Sequence, residues 1–192
     1  MARPPLARER ILAAARQIVE REGAGALTFE ELVKESGITR GGITYHFPIK
    51  EDLLRGLLES DFRQWDDAEA ALTPTDCDPD TARLLGFIRT LTAQDESHRR
   101  FLCGMLSAAT LDPSLMDPCR KELRERLGRK QWSDRDLRLH LVHLAAEGLM
   151  WQELFQMYSM PGPARARLVA LMEELARQWG AGPQHKKIVK EA

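Results

Sequence analysis

Residues 37–50 carry side chains that are suited to bind a polyanion. Six of these side chains donate hydrogen bonds, namely Thr39, Arg40, Thr44, Tyr45, His46 and Lys50. The stretch contains no Asp or Glu, as expected of a surface that faces phosphate groups. It does contain Gly41 and Gly42, although each glycine disfavours a helix by up to about 1 kcal/mol relative to Ala. Two glycines in so short a segment indicate a backbone that closely approaches another surface.

Two short helices joined by a turn would position these side chains. Thr28 opens the first with a capping-box pattern, in which an acidic residue follows three positions later. Gly37 lies in a tight turn, and Thr39 caps a second helix that ends near His46, since Pro48 prevents its continuation. This order predicts a helix-turn-helix unit, whose second helix enters the DNA major groove. The alternative is a loose turn within an ordinary helical bundle.

The rest of the chain repeats apolar residues at helical spacing, and no segment alternates in the manner of a half-buried strand. We therefore predict an all-α fold of about nine helices. One helix is expected over residues 114–128, and another is expected to begin after the cap Ser133 and to reach about Met157. Residues 73–79 are dense in turn formers and predict a connection between helices.

Composition narrows the class of protein. The chain of 192 residues is 43% hydrophobic and 30% charged, which is typical of a globular protein. No apolar run approaches the roughly 18 residues of a membrane span, and the N-terminus lacks the apolar core of a signal peptide, so we expect a cytoplasmic protein without a membrane partner. The net charge is only −1, but residues 1–50 hold eight Lys and Arg against six Asp and Glu. This small basic excess favours an N-terminal DNA-binding module.

The sequence of residues 38–51, ITRGGITYHFPIKE, closely resembles the signature of the tetracycline-repressor (TetR) family. Residues 10–23 resemble the first helix of that family, and residues 27–32 resemble its second. The resemblance implies a DNA-binding domain with a three-helix helix-turn-helix over residues 1–49. It further implies a C-terminal helical domain for ligand binding and dimerisation over residues 50–192.

The resemblance also implies roles for individual residues. Tyr45, His46 and Lys50 would contact phosphates, and Thr28 would hold a phosphate at a helix N-terminus. Arg40 and Thr44 would face base edges or the adjacent backbone, although many relatives have Tyr at the position of Thr44. The whole expected DNA-binding set is Thr28, Thr39, Arg40, Gly41, Gly42, Thr44, Tyr45, His46 and Lys50. An alternative for His46 is a packed core position.

Two long C-terminal segments carry apolar stripes that could form a homodimer interface. The expected interface residues are Leu141, Leu144, Ala145, Gly148, Leu149, Leu168, Leu171, Met172, Leu175 and Trp179. The family resemblance implies a four-helix bundle between subunits, with each dimer binding a palindromic operator in double-stranded DNA. The alternative is that both stripes pack only within one subunit.

Large flexible apolar residues in the middle of the chain are candidates for a ligand pocket, because methionine and aromatic side chains can line an adaptable cavity. The candidates are Phe87, Phe101, Met105, Met116, Trp151 and Phe155. The alternative for each is a place in the core. By resemblance, an unknown small-molecule effector would bind there, shift the fourth helix and release a repressor from DNA.

Other chemistry has less support. His140 and His143 lie three residues apart on a helix but lack a full ligand set, so we expect no metal and no cofactor. Cys103 could sense oxidants, which leaves a thiol-based regulator as an alternative. No pattern of nucleophile and base predicts an enzyme. A different class of function also stays open, namely a helical small-molecule carrier that no longer binds DNA.

Overall fold

The computed structural model describes residues 6–128 and 130–181, and all the regular secondary structure within these ranges is helical. This confirms the predicted all-α fold. The nine α-helices are α1 (Ala7–Glu22), α2 (Phe29–Ser36), α3 (Arg40–His46), α4 (Lys50–Leu72), α5 (Pro79–Thr92), α6 (Glu96–Leu111), α7 (Asp117–Leu127), α8 (Asp134–Leu154) and α9 (Gly162–Gly180). Two short 3₁₀ turns, Ala24–Ala26 and Pro113–Met116, precede α2 and α7.

Polar side chains cap the helices near the N-terminus as the sequence predicts. Thr28 Oγ1 accepts a hydrogen bond from the Glu31 N–H at 3.2 Å, and Thr39 Oγ1 accepts one from the Gly42 N–H at 3.2 Å. The carboxylate of Glu31, expected to complete a capping box, instead pairs with Lys34 at 2.6 Å. Each cap satisfies one of the donors that a helix N-terminus leaves without an intrahelical partner.

Two helix boundaries differ from the prediction. The helix expected to reach Met157 ends at Leu154, because Gln156 adopts a left-handed conformation with φ of 51° that an α-helix cannot continue through. The helix expected over residues 114–128 is divided, because residues 113–116 form a 3₁₀ turn before α7 begins.

The described residues form two compact units. The first unit comprises residues 6–66 and 94–128, and the second comprises residues 67–93 and 130–181. In the first unit, one apolar core joins α1, α2, α3, α4 and α6. Its most deeply buried large side chains are Ile11, Ile18, Leu27, Leu32, Ile43, Leu53, Phe101 and Leu115. The core therefore contains residues of α6 as well as those of the N-terminal helices.

A polar cluster lies beside this core and joins α1, α4 and α6. Arg16 donates to Asp61 at 2.7 Å and to Glu20 at 2.7 Å, and its guanidinium lies 4.1 Å from the centre of the Phe101 ring. It also lies 3.1 Å from His98 Nδ1. Because a guanidinium only donates, His98 Nδ1 must accept, so the ring is neutral with its proton on Nε2.

In the second unit, α5, α8 and α9 pack around a core that includes Leu85 and Ile88. Arg165 of α9 contacts both of the other helices. Arg165 pairs with Glu153 at 2.5 Å and donates to the Thr92 carbonyl oxygen at 3.1 Å. These contacts fix α8 and α9 beside each other.

The neutral state of His98 predicts a pH-dependent stability. Burial lowers the pKa of His98 below its ordinary value, and the charge of Arg16 lowers it further. The carboxylates of Asp61, Asp95 and Glu20 act in the opposite direction without reversing the shift. Between the folded pKa and about 6.5, the unfolded chain binds more protons than the folded chain, so acidification favours unfolding. We expect the free energy of unfolding to fall as the pH drops from 7.5 towards 5.5.

Urea denaturation of the wild type and of His98→Gln measures this effect. The variant should show a shallower pH dependence, by at most about 1.4 kcal/mol per pH unit, the limit for one proton. Gln can still accept a hydrogen bond from Arg16, so the cluster is retained. Equal pH dependence in the two proteins would contradict the assignment of His98 as buried and neutral.

Gly56 predicts a packing constraint between α4 and the end of α3. A Cβ at Gly56 would lie 2.9 Å from Phe47 Cε1 and 3.2 Å from Leu12 Cδ2, both in buried side chains. We therefore expect Gly56→Ala to lower the free energy of unfolding by about 1–3 kcal/mol, as overpacking does. Gly41→Ala is the matched control, because Gly41 also lies in an α-helix and a Cβ there meets nothing within 4 Å. If both variants unfold alike in urea, α4 does not pack as closely as described.

Candidate nucleic-acid interface

A tight turn between α2 and α3 sets the geometry of the site. Gly37 adopts a left-handed conformation, with φ of 65° and ψ of 15°, which glycine adopts without steric cost. Ser36 stabilises the turn, because its hydroxyl donates to the Leu32 carbonyl at 2.5 Å and accepts from the Ile38 N–H at 3.2 Å. Arg10 of α1 donates to the Ser36 carbonyl at 2.9 Å. The turn is thus attached to α1 as well as to α2.

Helix α3 is anchored along one face only. Ile43 and the following Phe47 are buried in the core of the first unit. Gly41 is exposed, and a Cβ there would meet nothing within 4 Å. Gly42 differs, because its Cβ would lie 2.9 Å from Ile38 Cγ2. Packing within the unit therefore accounts for Gly42, while Gly41 leaves the backbone of α3 accessible from solvent.

The opposite face of α3 presents polar groups. Tyr45 is 83% exposed, and its ring meets that of His46 edge-on with centroids 5.1 Å apart. Thr44 donates its hydroxyl proton to the carbonyl oxygens of Arg40 and Gly41, at 3.1 and 3.2 Å. The hydroxyl of Thr44 is thus engaged with its own helix.

The two caps and the flanking lysine complete this surface. Thr28 and Thr39 are both exposed and cap α2 and α3. Lys50, in the first turn of α4, is half-buried, and its Nζ lies 3.5 Å from the Gly25 carbonyl oxygen. The nine predicted DNA-binding residues thus lie in α3, at the N-caps of α2 and α3, and at the start of α4, all within one compact unit.

An acidic residue outside the predicted DNA-binding set also lies on this surface. Glu30 of α2 pairs with Arg40 of α3, with 2.5 Å between Oε1 and Nη1. A backbone hydrogen bond and then Arg40 lower the pKa of the Glu30 carboxyl below its ordinary value. Sequence spacing does not predict this pair, because the two residues lie ten positions apart on separate helices and meet only through the packing of α2 against α3.

The predicted pocket residues fall in both units. Phe101 and Met105 are buried in the core of the first unit, where Phe101 also underlies Arg16, and Met116 is half-buried there. In the second unit, Phe87 is half-buried, whereas Trp151 and Phe155 are exposed and stacked on each other. The pocket remains a prediction.

The predicted dimer residues differ in burial within the second unit. Leu149 and Met172 are buried there, so these two side chains pack inside one subunit. Leu141, Leu144, Ala145 and Leu171 are exposed, and Gly148, Leu168, Leu175 and Trp179 are half-buried. The exposed apolar face of α8 also includes Leu137 and Trp151, and Phe155 lies exposed just beyond its end.

The histidine pair lies in an aromatic stack. Phe87 stacks on His143, His143 stacks on His140, and Trp132 meets His140 edge-on. His143 also pairs with Glu147 at 3.2 Å. Among the described residues, no group of three or more potential ligands could hold a metal ion. Cys103 is exposed, not buried.

No helix within the described part of the chain is both long and apolar enough to cross a membrane.

Two family models match the chain. Residues 11–57 match the bacterial regulatory proteins of the tetR family, and residues 81–177 match the tetracyclin repressor-like C-terminal domain. No curated protein sequence matches.

Solved structures share the fold at low sequence identity. A TetR family member from Streptomyces coelicolor is 22% identical with a TM-score of 0.63, covering 89% of this chain and 98% of that one. A transcriptional regulator from Saccharomonospora viridis in complex with choline is 22% identical with a TM-score of 0.64, covering 92% and 96%. The multidrug binding protein EbrR complexed with ethidium is 19% identical with a TM-score of 0.60, covering 90% and 99%.

Matched in both its N-terminal and C-terminal parts, this chain belongs to the tetracycline-repressor family and is a DNA-binding transcriptional regulator.

Proposed function

We propose that the protein is a homodimeric repressor that binds a palindromic operator and is released from it by a small molecule. Residues 1–49 would form the DNA-binding domain, and residues 50–192 would form the domain that binds the ligand and dimerises. The observation that carries the proposal is the surface of α3, which is anchored by Ile43 and Phe47 on one side and presents Tyr45 to solvent on the other. A protein of this kind would act in the cytoplasm, where bacterial DNA lies.

The contacts to DNA follow from this geometry. Tyr45, His46 and Lys50 would bind phosphates, and Thr28 would bind one at the N-terminus of α2, where backbone N–H groups and the helix dipole favour an anion. Arg40 would reach a base edge, since a guanidinium can contact guanine through two hydrogen bonds.

The remaining members of the set act at the same surface. Thr39 stands exposed at the N-terminus of α3, and Gly41 leaves room for the DNA backbone. Gly42 would contribute by holding α3 against Ile38 rather than by touching DNA. Thr44 would offer a hydroxyl oxygen as acceptor, because its proton is directed to its own helix.

The dimer would form through the exposed apolar face of α8 and α9. Leu137, Leu141, Leu144, Trp151 and Phe155 are between 38% and 59% exposed. With Gly148, they follow one another at alternating steps of four and three residues, the spacing of a seam between packed helices. Burial against the same face of a second copy removes these side chains from water. A two-fold dimer also matches the symmetry of a palindromic site.

The effector would be a small molecule bound by the C-terminal part, at a site that includes members of the predicted pocket. Its support is the match to the tetracyclin repressor-like C-terminal domain and the fold shared with EbrR, which was solved with ethidium, and with the choline complex. Release requires that the effector bind the DNA-free state more tightly. Effector and DNA would then weaken each other's binding by the same factor.

The phosphate contacts predict the behaviour of the double variant Tyr45→Ala with His46→Ala. Its affinity should fall both for a duplex from the region upstream of the protein's own gene and for a random-sequence duplex. The slope of log affinity against log salt should change little, because the contribution of about 0.9 per contact comes from a Lys or Arg charge that displaces a counterion, and neither replaced side chain is Lys or Arg. Fluorescence anisotropy at several salt concentrations measures both quantities.

Tyr158→Ala is the matched control, because Tyr158 is also exposed but lies in the second unit. It should bind as the wild type does. Unchanged binding by the folded double variant would reject the phosphate assignment. If the folded wild type binds neither duplex at low salt, the carrier without DNA-binding activity is favoured instead.

The apolar face of α8 predicts the effect of Leu141→Glu combined with Leu144→Glu. The wild type should sediment at twice the chain mass of 21.8 kDa. The variant should sediment at that single mass, because pairing two copies would bury carboxylates without partners. Leu111→Glu, at an exposed leucine in the first unit, should remain dimeric. A wild-type protein that sediments at the mass of one chain, or a variant that still forms dimers, would contradict this interface.

A further inference from the structure

We propose that Glu30 is a specificity-determining residue that acts through Arg40. Its carboxylate keeps the Arg40 guanidinium away from DNA phosphates, and it thereby weakens binding to DNA that lacks the correct bases. The inference rests on the proposed contact between Arg40 and DNA. It adds a group, the Glu30 carboxylate, that disfavours binding to DNA of the wrong sequence.

The pair joins the two helices of the helix-turn-helix on their solvent side. Glu30 lies in the first turn of α2, and Arg40 is the first residue of α3. Their side chains are 64% and 65% exposed, although 2.5 Å separates the two charged groups. The Arg40 guanidinium also lies 5.7 Å from the centre of the Phe29 ring. Two contacts from α2 thus favour one position of the guanidinium in the DNA-free protein.

The other charged residues of α2 pair with different partners, so Arg40 is the cation in contact with Glu30. Lys34, one helical turn further along α2, pairs with Glu31 at 2.6 Å. Glu35 is paired with Arg21 at 3.1 Å. A backbone hydrogen bond lowers the pKa of the Glu30 carboxyl, so this group is ionised at neutral pH.

An ion pair this exposed contributes little to folding, so its main consequence lies in binding. A phosphate contact would exchange one anionic partner of Arg40 for another and would leave the Glu30 carboxylate beside the DNA backbone. Like charges at such an interface are unfavourable. A bidentate contact with guanine gives Arg40 two directed hydrogen bonds, and a cytosine amino group can donate to Glu30. On the correct bases, these hydrogen bonds offset the repulsion between Glu30 and the DNA backbone. On other sequences that repulsion remains.

The test compares the wild type with Glu30→Gln on a random-sequence duplex across a range of salt concentrations. The variant should bind this duplex at least about fivefold more tightly at low salt. Its salt slope should be steeper by about 0.9, because Arg40 gains one phosphate contact. On the duplex from the upstream region, the gain in affinity should be smaller, so the ratio of the two affinities falls.

Two controls separate this mechanism from a simple loss of negative charge. Glu35→Gln removes the same charge from the same helix but leaves the pair with Arg40 intact, and it should not change the slope. In an Arg40→Ala background, Glu30→Gln should no longer steepen the slope. Circular dichroism confirms that each variant is folded.

The proposal is overturned if Glu30→Gln behaves like Glu35→Gln, or if its effect persists unchanged without Arg40. Those outcomes leave the DNA-binding function in place. Absence of wild-type binding to either duplex would overturn both the function and this inference.

Discussion

Helix α3 has seven residues, two of them glycines, and a helix this short is unstable by itself in water. The DNA-binding surface exists only because burial of Ile43 and Phe47 holds α3 against the rest of the first unit. The cap Thr39 and the turn at Gly37 determine where that helix starts and how it is oriented. Every polar group that α3 offers to DNA depends on this one-sided burial, because it leaves the opposite face of the helix in solvent.

The core that receives α3 is in turn held by α1, α4 and α6. Its polar cluster places the Arg16 guanidinium between the buried carboxylate of Asp61 and the neutral ring of His98. Loss of one member of such a cluster would leave a charge or a donor buried without its partner, which costs more than an exposed ion pair contributes. The cluster thus links α1 and α4 to α6, with 82 residues between Arg16 and His98 along the chain.

Local features of the fold were predictable from sequence, whereas long-range ones were not. Thr28 and Thr39 were correctly predicted as caps, because a cap depends on residues within one turn. The pairing of Arg16 with His98, and of Glu30 with Arg40, could not be derived from spacing, since it depends on how separate helices pack. For the same reason, a stripe of apolar residues did not show that Leu149 and Met172 face the subunit core while Leu141 and Leu144 face solvent.

The central claim is that a two-fold dimer binds DNA through the exposed face of α3. Hydroxyl-radical footprinting on the DNA upstream of the protein's own gene tests it most directly, together with the number of chains bound per duplex. The account predicts two symmetric half-sites, with centres about 10–10.5 base pairs or a multiple of that apart, and two or another even number of chains bound. A folded protein that gives no protection at low salt, or a single asymmetric site occupied by one chain, would contradict it.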